Sequence, residues 1–225
     1  MTARRPPGLP QRDAIPVEEQ EAFDYMLTRV RGSEDANIAT VAGEPYGAAY
    51  FRAMAGTPLM AQALSQLGTV SMGVPGKPGT LSASDHEMID AVLALDSGYT
   101  FLLAGHGPLA IHAGVRPEAL ESIRRGRESE LNDEERQQVE FTRAVGDGKM
   151  TDEIWSRMAA RLGSERGVVE YAFFVCLVLF HHLFASALGI PDMTEDEVDA
   201  EDFKTQSVGY SDYAKLFGSN AFETQ

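Results

Sequence analysis

The chain has one cysteine in 225 residues, Cys176, and one tryptophan, Trp155. A single thiol excludes an intramolecular disulfide and any zinc or redox site built on a CxxC pair, and it points to a reducing cytoplasm as the expected location. Positive charge is also scarce: 19 Lys and Arg stand against 34 Asp and Glu, a formal charge of −15. Such a field repels nucleic acid and anionic membrane surfaces, so neither is an expected partner. Acidity does not exclude a small anionic substrate, because a local pocket can carry the opposite sign. No segment alternates apolar and polar residues as a half-buried strand would, and no internal repeat is visible. The opening MTARRPPGLPQR is basic but has no apolar run behind it, so it does not read as a secretory signal.

One apolar run is long enough to test as a membrane span, YAFFVCLVLFHHLFASALGI at 171–190. The adjacent His181 and His182 at its centre, with Arg166 and Glu170 at its start, favour a buried core helix instead, because polar groups are costly in lipid.

What remains is a succession of helical signals. VEEQEAFDYMLTRVRG puts Phe23, Met26, Leu27 and Val30 on one stripe and stops at Gly32. The region 46–72 holds YGAAYFRAM and PLMAQALSQLG, with Pro58 placed to open a helix. After the punctuation of VPGKPGT, SASDHEMIDAVLALDSG offers Ser82 and Ser84 as caps and a shared face of Met88, Ile89, Val92 and Leu93. RPEALESIRRG, NDEERQQVEFTRAVGDG with Asn132 as cap, and TDEIWSRMAARLG with Thr151 as cap follow before the long apolar helix from about 165 to 189. The expected fold is all-α, a bundle of about eight helices. Its expected parts are an extended segment at 1–16, a helical domain at 17–191 and an acidic extension at 192–225, in which YSDYAKLF is a short amphipathic piece.

The stretch GYTFLLAGHGPLAIHAG, 98–114, carries five glycines or prolines and yet keeps helical spacing. On a helix over 99–113, Leu102, Leu103, His106, Leu109, Ala110 and Ala113 share a face, so His106 points at the core. Pro108 removes the donor to the carbonyl of Ala104, and Gly105 and Gly107 permit close approach of another chain or a ligand. Two readings stand side by side: a buried histidine bonded to backbone on a bent helix, or a functional imidazole.

Taken together, LSASDHEMIDAVLAL, GHGPLAIHAGV, RPEALESIRRG, EFTRAVGDGKMTDEIWSRMAARLG and ALGIP resemble, in order and spacing across about 36–191, the carboxymuconolactone decarboxylase superfamily, which includes the alkylhydroperoxidase D-like proteins. The resemblance places Glu87 at the family's glutamate, and His106, Pro108, Ala110, Gly114 and Val115 in register with its histidine, proline, alanine and glycine-valine series. It implies an alkylhydroperoxidase D-like helical fold, a homo-oligomer with trimer or hexamer as the options, and no cofactor. The CxxC of the redox branch is replaced by Tyr99 and Leu102, and without a thiol there is nothing to attack a peroxide or exchange a disulfide. The carboxylate that the decarboxylase branch often carries at the Leu102 position is missing too. The resemblance therefore implies Glu87 and His106 as an acid/base pair in an unusually apolar pocket walled by Tyr99, Phe101, Leu102 and Leu103.

A glutamate beside a histidine fixes its tautomer and leaves the other nitrogen for proton transfer. With no thiol and no nucleophilic serine motif, proton transfer is the chemistry left: a carbon–carbon lyase of decarboxylase type or an isomerase, acting on a small cyclic or aromatic-derived organic acid or lactone. Dehydration or cyclisation of a polyketide-like intermediate, or a non-catalytic binding or assembly role, are the alternatives. His181 or His182 is expected to face the core, as a packed residue or as a second proton donor. Arg52 is a candidate to hold a substrate carboxylate, with a surface role beside it. His112, six residues after His106 and so about 240° away around a helix, should not share a metal with it. His106, His181 and Glu87 are the three residues that could converge on a metal, but the resemblance implies none and no metal is expected.

Overall fold

Two capping boxes and a buried helix fix the part of the molecule that matters most. In the computed structural model, which describes residues 5–36, 39–71 and 81–194, Ser82 accepts a hydrogen bond from the Asp85 amide while the Asp85 carboxylate accepts one from the Ser82 amide. This reciprocal cap starts a helix in the main sequence-expected segment. Nine α-helices occur among the described residues: α1 Gln20–Ala36, α2 Ala48–Met54, α3 Pro58–Ser71, α4 Ala83–Ser97, α5 Leu103–His112, α6 Pro117–Arg124, α7 Asp133–Gly146, α8 Asp152–Leu162 and α9 Glu165–Leu188. The all-α expectation holds with one more helix than counted from sequence. A two-residue antiparallel ladder, β1 Thr40–Val41 with β2 Glu44–Pro45, is the one extended pairing described, too short for a period-2 signal.

The described residues fall into two compact units: 5–36, 39–71 and 184–192 in the first, 81–183 and 193–194 in the second. In the first unit α1 packs on α2 and α3, and Phe23, Met26, Val30 and Ala61 are buried. Helix α1 does not stop at Gly32 but runs on to Ala36, because Ser33 and Ala36 are buried. Tertiary burial there outweighs the roughly 1 kcal/mol that glycine costs a helix interior. The lead-in is anchored rather than loose: Arg12 grips Asp24 with two 2.8 Å hydrogen bonds, and Ile15 is buried. On α3, Leu59, Met60, Leu67 and Val70 remain exposed.

In the second unit α4 packs on α5, α6 and α7. Met88, Val92, Leu103, Ala110, Leu120 and Val139 belong to one continuous apolar cluster. Residues 99–100 are irregular and 101–102 form a turn before α5, so the helix is shorter than the expected 99–113, and it continues through Pro108. Its residues from Leu103 to Ala110 are all buried, as befits a helix apolar on every side. Gly98 ends α4 at φ +64°, a left-handed turn that glycine adopts without strain and that redirects the chain into α5.

Helix α9 departs from expectation. Its face with Val168, Tyr171, Val175, Val178 and His182 is buried, but Val169, Phe173, Cys176, Phe180 and Leu183 on the other side are exposed. It is therefore half a core helix, and composition alone cannot separate a helix covered all round from one with an exposed apolar face. By length and composition it is the one helix among the described residues apolar enough to cross a membrane. The segments 195–225, with YSDYAKLF, and 72–80 lie outside the described residues.

Candidate functional site: a buried histidine between two carboxylates

Helix α4 presents Glu87 and Asp90, three residues apart and thus on the same face, toward α5. His106, one turn into α5, meets both. Its Nδ1 lies 2.9 Å from Glu87 Oε2 and 3.5 Å from Asp90 Oδ2. A carboxylate oxygen accepts, so Nδ1–H is the donor, and Nε2 is the ring nitrogen that neither of these carboxylates engages. All three residues are at most 9% exposed. The His106 side chain keeps 11% exposure against 1% for Glu87 and 4% for Asp90, so the imidazole is the least buried member of the trio.

Burial alone would push His106 down, but the charges of Asp90 and Glu87 and the Glu87 hydrogen bond outweigh it and hold the imidazole up at about 9. Burial raises Asp90 to about 7; the charge of His106 opposes that rise and the charge of Glu87 adds to it. Near neutral pH the cluster thus holds an imidazolium, with the second carboxyl poised to share a proton. Among the described residues His106 is the one basic group ion-paired with Glu87 or Asp90, so acid exceeds base in this pocket of the core.

His181 and His182 are the next polar groups. Burial first and the charge on His106 second lower both to about 4, which places them within its electrostatic reach. His182 is 4% exposed; its Nδ1 is 3.5 Å from Ser97 Oγ, and its Nε2 is buried with no hydrogen-bond partner among the described residues. Tyr99 sits edge-on to the His182 ring with centroids 6.3 Å apart, and Phe101 is 6.2 Å from Tyr99. His181 stands edge-on to Phe180.

The structure brings Glu87 and His106 together as their pairing in the sequence reading requires, and it puts Tyr99 and Phe101 in ring contact with each other and Tyr99 with His182. Leu102 is half-buried at the start of α5. Leu103 is 1% exposed within the apolar cluster. Arg52 belongs to the first unit, where Glu44 and Glu34 bind its guanidinium. His112 is exposed at the end of α5. Asp90 is the site residue that the sequence reading passed over. Its signal was present: a carboxylate three residues after Glu87 inside the apolar run EMIDAVLAL.

One oxygen from each of Glu87 and Asp90 and one ring nitrogen of His106 lie within 4.8 Å of one another, a spacing that also suits three ligands of one divalent ion. The 2.9 Å contact is accounted for by a shared proton without any ion. No protein-family model matches the chain, and no curated protein or solved structure matches it.

Proposed function

We propose that this protein is an acid/base enzyme in which His106 delivers a proton from Nε2 to a small organic acid or lactone, as a cofactor-independent decarboxylase or isomerase. The observation that carries the reading is the 2.9 Å hydrogen bond between His106 Nδ1 and Glu87, with Asp90 at 3.5 Å. These carboxylates hold the ring in one tautomer and keep it charged, so the imidazolium acts as an acid near neutral pH. In decarboxylation the bond to the carboxylate carbon breaks, carbon dioxide leaves, and the electron pair stays on the substrate carbon or its enolate. The Nε2 proton then goes to that carbon, and solvent reprotonates the imidazole. In isomerisation the imidazolium gives its Nε2 proton to one substrate atom, and the neutral Nε2 so formed takes a proton from another, which restores the imidazolium. The resemblance of GHGPLAIHAGV and the α4 segment to the carboxymuconolactone decarboxylase superfamily supports this choice of substrate class.

Dehydration is the second reading, favoured by one observation: the buried, unsatisfied Nε2 of His182 in reach of the His106 charge. There His106 protonates a departing hydroxyl and a neighbouring imidazole takes the carbon-bound proton. The test is product mass spectrometry over carboxylated lactones, phenolic acids and polyketide-like ketones, wild type against His106→Ala. Loss of carbon dioxide, or a retention shift at constant mass, that disappears in the variant supports the proposal. Loss of water transfers it to dehydration, and equal inertness of both proteins across the panel defeats the acid/base reading for these substrates.

A further inference from the structure

His182 is 4% exposed, and its Nε2 is a buried nitrogen with no hydrogen-bond partner among the described residues. Ser97, at the end of α4, decides what that nitrogen carries. Its Oγ lies 3.1 Å from the carbonyl of Ala94 and 3.4 Å from that of Tyr99, and it accepts the amide of Tyr99 at 3.2 Å. The single hydroxyl hydrogen goes to the nearer carbonyl, so the remaining lone pair faces His182 Nδ1 in a long contact of 3.5 Å. Nδ1 is therefore the protonated nitrogen of the ring, and Nε2 holds a bare lone pair. Burial first, then the charge on His106 and the neighbouring His181, lower the ring to about 4, so it gains no second proton near neutral pH. A neutral buried acceptor without a donor is unfavourable for folding, and what satisfies such a group is a trapped water or a ligand.

We infer that His182 Nε2 is the acceptor of a ligand subsite that takes a phenolic hydroxyl, so that the substrates acted on at His106 are hydroxylated aromatic acids. The inference rests on the reading of His106 and its surroundings as a substrate site. A carboxylate has no hydrogen to give to Nε2, and a cation is opposed by the same His106 charge that keeps His182 neutral. The donor is thus an uncharged one. The rings beside it select which: Tyr99 stands edge-on to the His182 ring with centroids 6.3 Å apart, and Phe101 is tilted 31° against Tyr99 at 6.2 Å. Such edges and tilts are the arrangements in which a further aromatic ring packs well. Ser97 and Gly98 are exposed and Tyr99 is half-buried, so the connection from α4 to α5 brings this buried nitrogen close to the surface. A phenol joins an apolar ring to one strong hydroxyl donor, the two features that this aromatic wall and this bare nitrogen complement.

The test is a titration of the full chain, labelled at the histidine ring nitrogens and followed by NMR, with phenol and with anisole, in which a methyl replaces the hydroxyl hydrogen. Wild-type His182 Nε2 should resonate as an unprotonated nitrogen, move on adding phenol and stay in place with anisole. Phenol should bind about 10-fold or more tightly, the preference expected when a buried acceptor is otherwise left unpaired. His182→Asn, whose amide reaches only the Nδ1 position and so keeps the Ser97 contact, should lose that preference. His182→Gln, whose amide reaches the Nε2 position, should keep part of it. Circular dichroism checks that both variants fold, and the wild-type titration alone decides if one does not. Binding is read without turnover, so a phenol preference in a protein inert toward every substrate defeats the acid/base reading and leaves the subsite standing. Turnover that depends on His106 but is equal for phenolic acids and their methyl ethers defeats the subsite alone. An Nε2 that ignores phenol, as one held by a trapped water would, equal affinity for phenol and anisole, or a preference that survives in His182→Asn would each overturn the inference.

Discussion

Helix α4 carries two buried clusters of charge barely a turn apart, and they are built on opposite plans. At its start, Asp85 is held by Arg161 at 2.5 Å, by the amide of Gln138 at 2.8 Å and by the hydroxyl of Ser82 at 2.7 Å. Burial there would raise the carboxyl, but the Ser82 bonds and the Arg161 charge prevail and lower it. The one buried carboxylate meets a cation, which also reaches the exposed Glu134, both Asp85 oxygens have donors, and the arrangement ties α4 to α7 and α8. Further along, Glu87 and Asp90 share a single imidazole, and Asp90 is raised to about 7 instead. Charge matching serves stability, whereas an excess of buried carboxylate over cation is unfavourable for stability and keeps a proton mobile.

The contrast is most sharply broken by removing Arg161. Arg161→Ala strands the Asp85 carboxylate in the interior and should cost about 3–5 kcal/mol in chemical denaturation, the usual penalty for breaking a buried pair. Next in size is the pH dependence of stability. His106 lies at about 9 in the folded chain and near 6.5 when unfolded, so its contribution is fully present below pH 6.5 and is lost as the pH rises through 9. That loss is on the order of 3 kcal/mol, and the fall in denaturation midpoint between pH 7 and pH 10 should flatten in His106→Ala. Asp90 has the opposite sign: its raised folded value near 7 costs stability that is absent below its unfolded value near 4 and complete above pH 7. Asp90→Asn should therefore leave the protein as stable as wild type or about 1 kcal/mol more stable at pH 8, which no loss at the Asp85 cluster can do. The smallest effect is that of chelation. If the trio is held by protons, dialysis against a strong chelator should shift neither the melting temperature nor the His106 titration.

Much of this comparison was legible in the sequence, and the illegible part has physical reasons. The caps at Ser82, Asn132 and Thr151 and the helix-opening Pro58 and Pro117 act through bonds to residues a turn away, so local sequence specifies them. His106 was recoverable because it interrupts an apolar helix, whereas Glu87 was singled out only by the resemblance of the α4 segment, which put it at the family's glutamate. Asp90 was masked by its neighbour Glu87, since one carboxylate already satisfied the expected pairing. The Asp85–Arg161 bridge spans 76 residues, and no local pattern marks such a pair. The exposed side of α9 was hidden because uniform hydrophobicity carries no record of which residues are covered.

The most direct measurement is the titration of the His106 ring by heteronuclear NMR in wild type, Glu87→Gln and Asp90→Asn. The account predicts a wild-type midpoint near 9 with Nδ1 protonated throughout, and a fall of about one unit or more in each variant as a carboxylate charge is withdrawn. A wild-type midpoint at or below 6.5, or one indifferent to both substitutions, would contradict the claim that two buried carboxylates hold this histidine as an acid.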